Sequence, residues 1–346
     1  MKKLFSTALL AVSVIAANAQ FNAAKTPFLT QSLSSKNIDE VYSETSGGNI
    51  SVTGVAASEA RVEVYAVPNG REDRLSEAEI KERINADYDL KVDVSGTKLT
   101  ASARSKHRLL NWKKGLSISF KIYVPKNITT DLNTSGGNID LKNLSGRLKF
   151  ETSGGNLDID DVAGNIDGRT SGGNINVNHA TDHVELTTSG GNIEARNCDG
   201  MVQLTTSGGD LRLYDLKGTI KASTSGGNVA GKNIGGELRA GTSGGNVDLT
   251  ELTCSLEAST SGGNIKVDIK ETGKYIRITN SGGNVDLDLP KSGGADLDLS
   301  AERIKTDHLD NFSGKIEDER VEGKLNGGGV PVTVRASSGH IHVGLK

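Results

Sequence analysis

The residues best suited to bind a charged ligand lie in one short segment of the chain. This basic segment surrounds the only tryptophan and consists of Arg104, Lys106, Arg108, Trp112, Lys113 and Lys114. Cations around an aromatic ring attract an anionic polymer or the acidic surface of a partner protein. The alternative is a solvated hairpin loop, in which Trp112 packs on the fold and the cations face water.

Aspartates recur at a spacing that invites comparison with calcium-binding β-rolls. One position of the repeat described below holds Asp140, Asp158, Asp248 and Asp286. Other copies carry Arg, Ala or Lys at that position, whereas a calcium-binding roll needs an acidic ligand in every half-coil. The six histidines do not follow a metal-ligand spacing either. We therefore expect no metal site and no cofactor.

An enzyme built on a β-helix is the next alternative. Polysaccharide lyases and hydrolases place acids and bases in a cleft, which loop insertions between coils wall off. Here the carboxylates are scattered, and successive repeats follow each other with nothing inserted. The sequence therefore indicates a non-enzymatic protein. Paired carboxylates about 5–10 Å apart in a groove would argue for the enzyme instead.

The elements that position these residues come from an internal repeat. Ser-Gly-Gly-Asn, with Asp in one copy, starts every 18 residues from Ser135 to Ser261, and again 20 residues later at Ser281. A fixed period of this length is typical of a solenoid. Counting each coil from its Ser as position 0, apolar residues alternate with polar ones at +4/+6 and at +13/+15/+17. This pattern predicts two short strands per coil.

We therefore predict an all-β fold, a parallel β-solenoid (β-helix) with 18-residue coils, capped by an N-terminal α+β excursion. The Gly-Gly pair at +1/+2 and the glycine common at +11 are expected to form turns with positive φ. The two cysteines, Cys198 and Cys254, are about three coils apart. At the ~4.8 Å strand spacing that distance is too long for a disulfide.

A polar ladder is predicted at position +3, at the corner of each coil. Its asparagines are Asn138, Asn156, Asn174, Asn192, Asn228, Asn246 and Asn264. Repetition stacks each residue on its equivalent in the next coil, so that side chains can hydrogen-bond along the stack. We interpret this ladder as structural rather than as a binding site.

Four segments follow from these patterns. They are a signal peptide at 1–19, an N-terminal coil with an α+β cap at 20–130, the regular solenoid at 131–290, and irregular C-terminal coils with a cap at 291–346. Within the first cap, Ser76 and Glu79 match a capping box, which predicts a helix ending near Asn85. The caps would cover the exposed ends of the stacked sheets.

The N-terminus indicates export. Two lysines precede an apolar run over 4–17, and Ala17-Asn18-Ala19 places small residues where a signal peptidase cuts. No later stretch reaches 18 apolar residues, so we expect no transmembrane segment in the mature chain. The net charge of −3 argues against a nucleic-acid partner. The expected location is the periplasm, the outer-membrane surface or the extracellular space.

Two stretches carry a resemblance to a known family. They are the segment from Val124 to Asn138 with the following Ile-Asp-Leu-Lys-Asn-Leu-Ser-Gly, and the terminal Arg-Ala-Ser-Ser-Gly-His-Ile-His-Val. Over about residues 28–346 the chain resembles the bacterial "putative adhesin" family of β-strand-repeat proteins, a domain of unknown function related to the head domain of autotransporter adhesins. The resemblance implies an envelope-associated β-solenoid and assigns no catalytic or binding residue.

Three functions remain open. The first is a non-enzymatic cell-envelope adhesin or scaffold, whose partner is an unidentified envelope polymer or protein. The second is a periplasmic binding or sensing module that uses the N-terminal cap. The third, less favoured, is a carbohydrate-active β-helix enzyme.

Overall fold

The computed structural model describes residues 26–70, 75–106 and 115–346. Within these ranges the chain forms twenty-five β-strands, one α-helix and one short 3-10 helix. The predicted all-β class is therefore confirmed. The expected signal peptide and four residues of the basic segment, Arg108, Trp112, Lys113 and Lys114, lie outside the described residues.

The N-terminal part contains seven strands and the helix. They are β1 (Leu29–Ser32), β2 (Glu40–Thr45), β3 (Ile50–Gly54), β4 (Arg61–Pro68), α1 (Glu77–Asp87), β5 (Tyr88–Ser95), β6 (Lys98–Ser105) and β7 (Leu116–Val124). Helix α1 begins at a capping box, because the Ser76 side chain accepts from the Glu79 N–H and the Glu79 carboxylate accepts from the Ser76 N–H. Strand β4 is antiparallel to β1 and β7, and β5 is antiparallel to β6.

The central repeats contain twelve strands. They are β8 (Thr129–Thr134), β9 (Ile139–Thr152), β10 (Leu157–Thr170), β11 (Ile175–Thr188), β12 (Ile193–Arg196), β13 (Asp199–Thr206), β14 (Leu211–Ser223), β15 (Val229–Gly241), β16 (Val247–Thr260), β17 (Ile265–Ile269), β18 (Ile276–Asn280) and β19 (Val285–Leu289).

Neighbouring central strands pair in parallel. Leu157 of β10 lies between Ile139 of β9 and Ile175 of β11, so partners are 18 residues apart. First halves of coils pair with first halves, and second halves with second halves. We call the first halves (+4 to +7) the first face and the second halves (+11 to +17) the second face. Where a coil is split, β12 lies in the first face and β13 in the second.

Alternation along each strand builds the core. In β9 the +4 and +6 side chains, Ile139 and Leu141, are at most 1% exposed, whereas the +5 and +7 side chains, Asp140 and Lys142, reach the surface. Because the register repeats, each apolar side chain packs on its equivalents above and below. The polar residues at +5 and +7 consequently form two outward rows on the first face.

The seven coils that start at Ser135 to Ser243 each bend at position +8, a feature that the sequence did not reveal. The residues there have φ between 52° and 57°: Asn143, Asp161, His179, Asn197, Asp215, Asn233 and Glu251. Most are Asn, Asp or His, the non-glycine residues that best tolerate the left-handed region. The bend turns the chain from the first face into the second.

The expectation of positive φ is wrong for the Gly-Gly pair, although it holds at +11, where Gly146 has a φ of 124°. The second position of the pair must be glycine for a different reason, because there is no room for a side chain. A Cβ on Gly155 would lie 1.9 Å from the carbonyl oxygen of Gly137 in the preceding coil. A Cβ on Gly154 would come no nearer than 3.7 Å to another heavy atom. The backbones of successive coils therefore approach most closely at position +2.

Buried threonines at +17 form hydrogen bonds with backbone groups next to this close approach. The Thr152 hydroxyl donates to the Gly137 carbonyl at 2.8 Å and accepts from the Gly155 N–H at 3.2 Å. The same pair of hydrogen bonds recurs at Thr170, Thr188 and Thr206. Each threonine thus links its own Ser-Gly-Gly turn to the turn of the coil before.

The C-terminal part contains the remaining six strands. They are β20 (Ala295–Ser300), β21 (Arg303–Thr306), β22 (Phe312–Ile316), β23 (Arg320–Leu325), β24 (Val330–Ala336) and β25 (His340–Leu345). Strands β24 and β25 extend the parallel array by pairing with β18 and β19. Strand β23 pairs antiparallel with both β20 and β22, so the segment that breaks the repeat forms a hairpin at the end of the array.

Candidate functional site

A groove of about 440 Å³ lies on the outward side of the first face, over β9 to β12. The alternation of these strands sends the +5 and +7 side chains into it. Its lining consists of Asp140, Leu141, Lys142, Asp158, Ile159, Asp160, Asn176, Val177, Asn178, Glu194 and Arg196. A groove of this size with converging polar groups has the form of a binding site.

The two cations of the groove are already paired. Lys142 Nζ lies 3.7 Å from an Asp160 carboxylate oxygen, and Arg196 Nε lies 2.8 Å from Glu194 Oε1. Of the four carboxylates in the lining, two are therefore compensated. Asp140 and Asp158 remain without a salt bridge to any described residue.

Asp140 and Asp158 are direct partners in the parallel register of β9 and β10. The amide of Asn176, one coil further on, donates to Asp158 Oδ1 at 2.8 Å. Burial, together with the repulsion of the Asp158 carboxylate, raises the pKa of Asp140 to about 7, against a smaller opposing effect of Lys121. The groove thus holds a desolvated carboxyl group beside a second carboxylate.

The structure places the described part of the basic segment in internal contacts. The Arg104 guanidinium, in β6, donates to Glu44 Oε2 at 2.9 Å and to the Tyr42 hydroxyl at 3.1 Å. Lys106 Nζ donates to the Asn85 carbonyl, at the end of α1, at 2.6 Å. Neither cation contributes to the groove over β9 to β12.

The predicted asparagine ladder bonds from side chain to backbone. The Asn138 side-chain oxygen accepts from the Asn156 N–H at 2.9 Å, and Asn156 repeats this bond to the Asn174 N–H at 2.8 Å. The series continues through Asn192, Asn228, Asn246 and Asn264, with Asp210 filling the one gap. It begins with Asn49, whose side-chain oxygen accepts from the Asn138 N–H. The side-chain oxygens of the ladder therefore accept hydrogen bonds from the protein's own backbone.

Three further observations concern metal ligands, cysteines and membrane-spanning helices. Across residues 26–70, 75–106 and 115–346, no three His, Cys, Asp or Glu side chains are arranged to hold a metal ion. Cys198 and Cys254 are both buried and free. In the same ranges, none of the helical structure has the length and apolar composition needed to cross a bilayer.

The sequence reading missed Asp140 and Asp158 as a site, although both residues were aligned at +5. The available signal was the stacking of two like charges on adjacent strands, which is destabilising unless something compensates it. The nearby cations Lys142 and Arg196 lie in the adjacent +7 row, and each one neutralises another carboxylate.

The fold and the groove define an all-β repeat protein with a polar groove on its first face. The chain belongs to the Toastrack DUF4097 family, whose model matches residues 71–238 and 236–344. The family is one of unknown function, and its match confirms the resemblance carried by the two stretches quoted above.

Two crystal structures are similar to the chain. A "putative adhesin" from Bacteroides fragilis NCTC 9343 is 14% identical, with 92% of this chain and 96% of that chain covered, at a TM-score of 0.24. A "putative cell adhesion protein" from Clostridium sporogenes ATCC 15579 is 12% identical, with 90% and 93% covered, at a TM-score of 0.16. Among curated proteins the comparison found no match.

Proposed function

We propose that this protein is an exported, non-enzymatic β-solenoid of the cell envelope that acts as an adhesin or scaffold. In this proposal, the parallel pairs between β8 and β19 form one continuous stack of 18-residue coils. The stack presents its first face, with the groove over β9 to β12, to a partner. The expected partner is an envelope polymer or a protein rather than a small substrate.

The observation that carries the proposal is the regularity of the first face. From Ile139 to Lys232 the strands of this face keep one register, and no residue is inserted between successive coils. Such a face is rigid, because each coil is held by hydrogen bonds to both neighbours. It offers an extended surface to a large partner, and it lacks the loop walls that enclose a substrate.

Export rests on the residues before the described part. The basic start, the apolar run over 4–17 and Ala17-Asn18-Ala19 together form a signal-peptide pattern. The test is the mass of the protein purified from its native cells. We expect a mature chain that begins at Gln20 and occurs outside the cytoplasm. A full-length chain in the cytoplasmic fraction would contradict the proposal.

A second candidate function, glycoside hydrolysis, is favoured by one observation. Asp140 and Asp158 form a carboxylate pair in a groove, and the raised pKa of Asp140 suits a general acid. Against it, both carboxylates project from adjacent strands of one face, whereas a glycosidase places its two carboxylates on either side of the scissile bond. Incubation of the protein with envelope polysaccharides distinguishes glycoside hydrolysis from the non-enzymatic role. Release of reducing ends that Asp140→Asn abolishes would establish the enzyme.

A further inference from the structure

The sheet that continues the second face ends at strand β5 on its N-terminal side. Strand β8 of the second face pairs with β2, β2 pairs with β6, and β6 pairs with β5. Within the described part of the chain, β6 is the single strand that pairs with β5. The other edge of β5 is therefore free, and a free edge can pair with a strand of another chain.

The register of β5 on β6 shows which backbone groups point to this free edge. The Lys106 N–H donates to the Asp87 carbonyl at 2.8 Å, and the same register continues through the hairpin. In an antiparallel ladder, hydrogen-bonded pairs alternate with non-bonded pairs, so every second residue counted from Asp87 bonds to β6. The N–H and C=O groups of Leu90, Val92 and Val94 consequently point away from β6.

The side chains of the same three residues are incompletely buried. Leu90, Val92 and Val94 face the core but pack on it only in part. Their direct partners in β6, which has a strand on both sides, are at most 1% exposed. A further strand at the free edge would give the β5 side chains the neighbour that they lack.

The sequence of β5 is complementary to itself. Two antiparallel copies of this strand can meet with Val92 opposite Val92. In this register Leu90 lies opposite Val94, so apolar side chains meet on the core side of the sheet. Lys91 lies opposite Asp93, so an ammonium group meets a carboxylate on the outward side. Both contacts occur twice, because a twofold axis relates the two copies.

The charges of β5 favour this register over its neighbours. The outward backbone groups recur at every second residue, so the register can shift only in steps of two. One such shift places Lys91 opposite Lys91, and the shift in the other direction places Asp93 opposite Asp93. Like charges directly opposite each other are destabilising. Both side chains are exposed, with Lys91 Nζ 3.7 Å from the Asp93 carboxylate, so both can reach a partner.

From this complementarity we infer that two copies of the protein form a dimer through β5, with the strands antiparallel about Val92. Hydrogen bonds join the outward backbone groups of one copy to those of the other. The sheets of the two copies become one sheet, joined at their N-terminal ends. The dimer goes beyond the role proposed above and does not depend on it. It would carry two first faces, which strengthens attachment to a repetitive polymer.

Strand β22, the edge of the same sheet at the C-terminal end, matches itself less well. It pairs with β23, and no second strand is paired with it in the described part of the chain. Its five residues include one charged side chain, Lys315. When two copies of β22 meet about Gly314, Lys315 lies opposite Ser313. Since opposite charges do not meet in this arrangement, β22 provides the control edge.

Sedimentation equilibrium of the purified protein over a wide concentration range tests the inference. We expect a monomer–dimer equilibrium. Lys91→Asp and Asp93→Lys each place like charges opposite one another, and each is expected to weaken dimerisation roughly tenfold or more. The variant with both substitutions restores opposite charges in reverse order and is expected to dimerise like the wild type. Lys315→Asp, on the control edge, is expected to leave the equilibrium unchanged.

An equimolar mixture of the two single variants separates lost pairing from lost folding. At positions 91 and 93, one copy of the mixed dimer carries two carboxylates and the other carries two ammonium groups, so opposite charges meet at both pairs. We expect dimers to reappear in the mixture, which requires that both variants are folded.

Four results would overturn the inference. The first is a protein that stays monomeric at its highest soluble concentration. The second is a dimer that neither Lys91→Asp nor Asp93→Lys weakens. The third is loss of the dimer in Lys315→Asp, which would place the contact at β22 instead. The fourth is a mixture of the single variants that stays monomeric, since the two charges would then not face each other.

Discussion

Asp140 of β9 stands directly opposite Asp158 of β10 in a parallel register, with no cation of the described chain between them. Like charges in this arrangement repel each other, and burial increases the cost for Asp140. The same chain neutralises another stacked pair, Asp268 and Asp288 at position +7, with Lys346. The Asp140–Asp158 pair, which has no salt bridge, is therefore a local weakness of the fold at the place where the outer face forms a groove.

Asp140→Asn is expected to stabilise the protein above neutral pH. The pKa of Asp140 is raised to about 7 from an ordinary value of 3.8, so the folded state binds the proton more tightly than the unfolded state does. The wild type therefore loses stability as the pH rises from about 4 to about 7, whereas the variant lacks this loss. Allowing for the remaining contact of Asp140 with water, we expect a gain on the order of 2 kcal/mol at pH 8.

Urea denaturation at pH 4, 6 and 8 measures this difference in the free energy of unfolding. Asp248→Asn is the matched control, because Asp248 occupies the same coil position in an exposed setting. A stability gain for Asp140→Asn that is the same at pH 4 and pH 8 would contradict the assigned burial of this carboxyl group.

Gly155→Ala is expected to be severely destabilising, and Gly154→Ala is not. The new methyl group at Gly155 would lie 1.9 Å from the Gly137 carbonyl oxygen, and parallel pairing on both sides prevents the backbone from moving away. We expect a loss on the order of 3 kcal/mol or more. At Gly154 the nearest heavy atom is 3.7 Å from the methyl position. Thermal melting of the two variants compares these adjacent glycines, and equal melting temperatures would refute the close approach.

Two buried threonines are expected to respond oppositely to replacement by valine. Thr170 donates to the Gly155 carbonyl and accepts from the Gly173 N–H, so Thr170→Val leaves two buried backbone groups unpaired. That variant should lose about 2–3 kcal/mol. The Thr130 hydroxyl is buried without a hydrogen-bond partner, so Thr130→Val should be neutral or stabilising by up to ~1 kcal/mol. Urea denaturation at neutral pH tests both, and a larger loss for Thr130→Val would contradict the observed bonding.

Local patterns predicted local structure well. Ser76 and Glu79 indicated the start of α1, because a capping box involves only residues within one turn. The alternation of Ile139 and Leu141 with polar neighbours indicated buried strand positions, because side chains on a strand point alternately to its two sides. The all-β class follows from many such segments in succession.

Features that depend on contacts between coils were harder to predict. The bend at Glu251 leaves no trace in the residue type, since glutamate has no preference for the left-handed region. The role of Gly155 is set by the carbonyl oxygen of Gly137, a distance that no residue pattern contains. The lack of a salt bridge at Asp140 and Asp158 became visible only when the partners of Lys142 and Arg196 were known.

Exposure of the protein on intact cells tests the proposed function most directly. Native cells are treated with a protease before and after the outer membrane is opened, and an antibody detects the mature chain, with a periplasmic protein as the control for leakage. An adhesin displayed at the surface predicts cleavage on intact cells while the control protein stays whole. Protection until the membrane is opened would contradict surface adhesion and would favour a periplasmic scaffold or sensor.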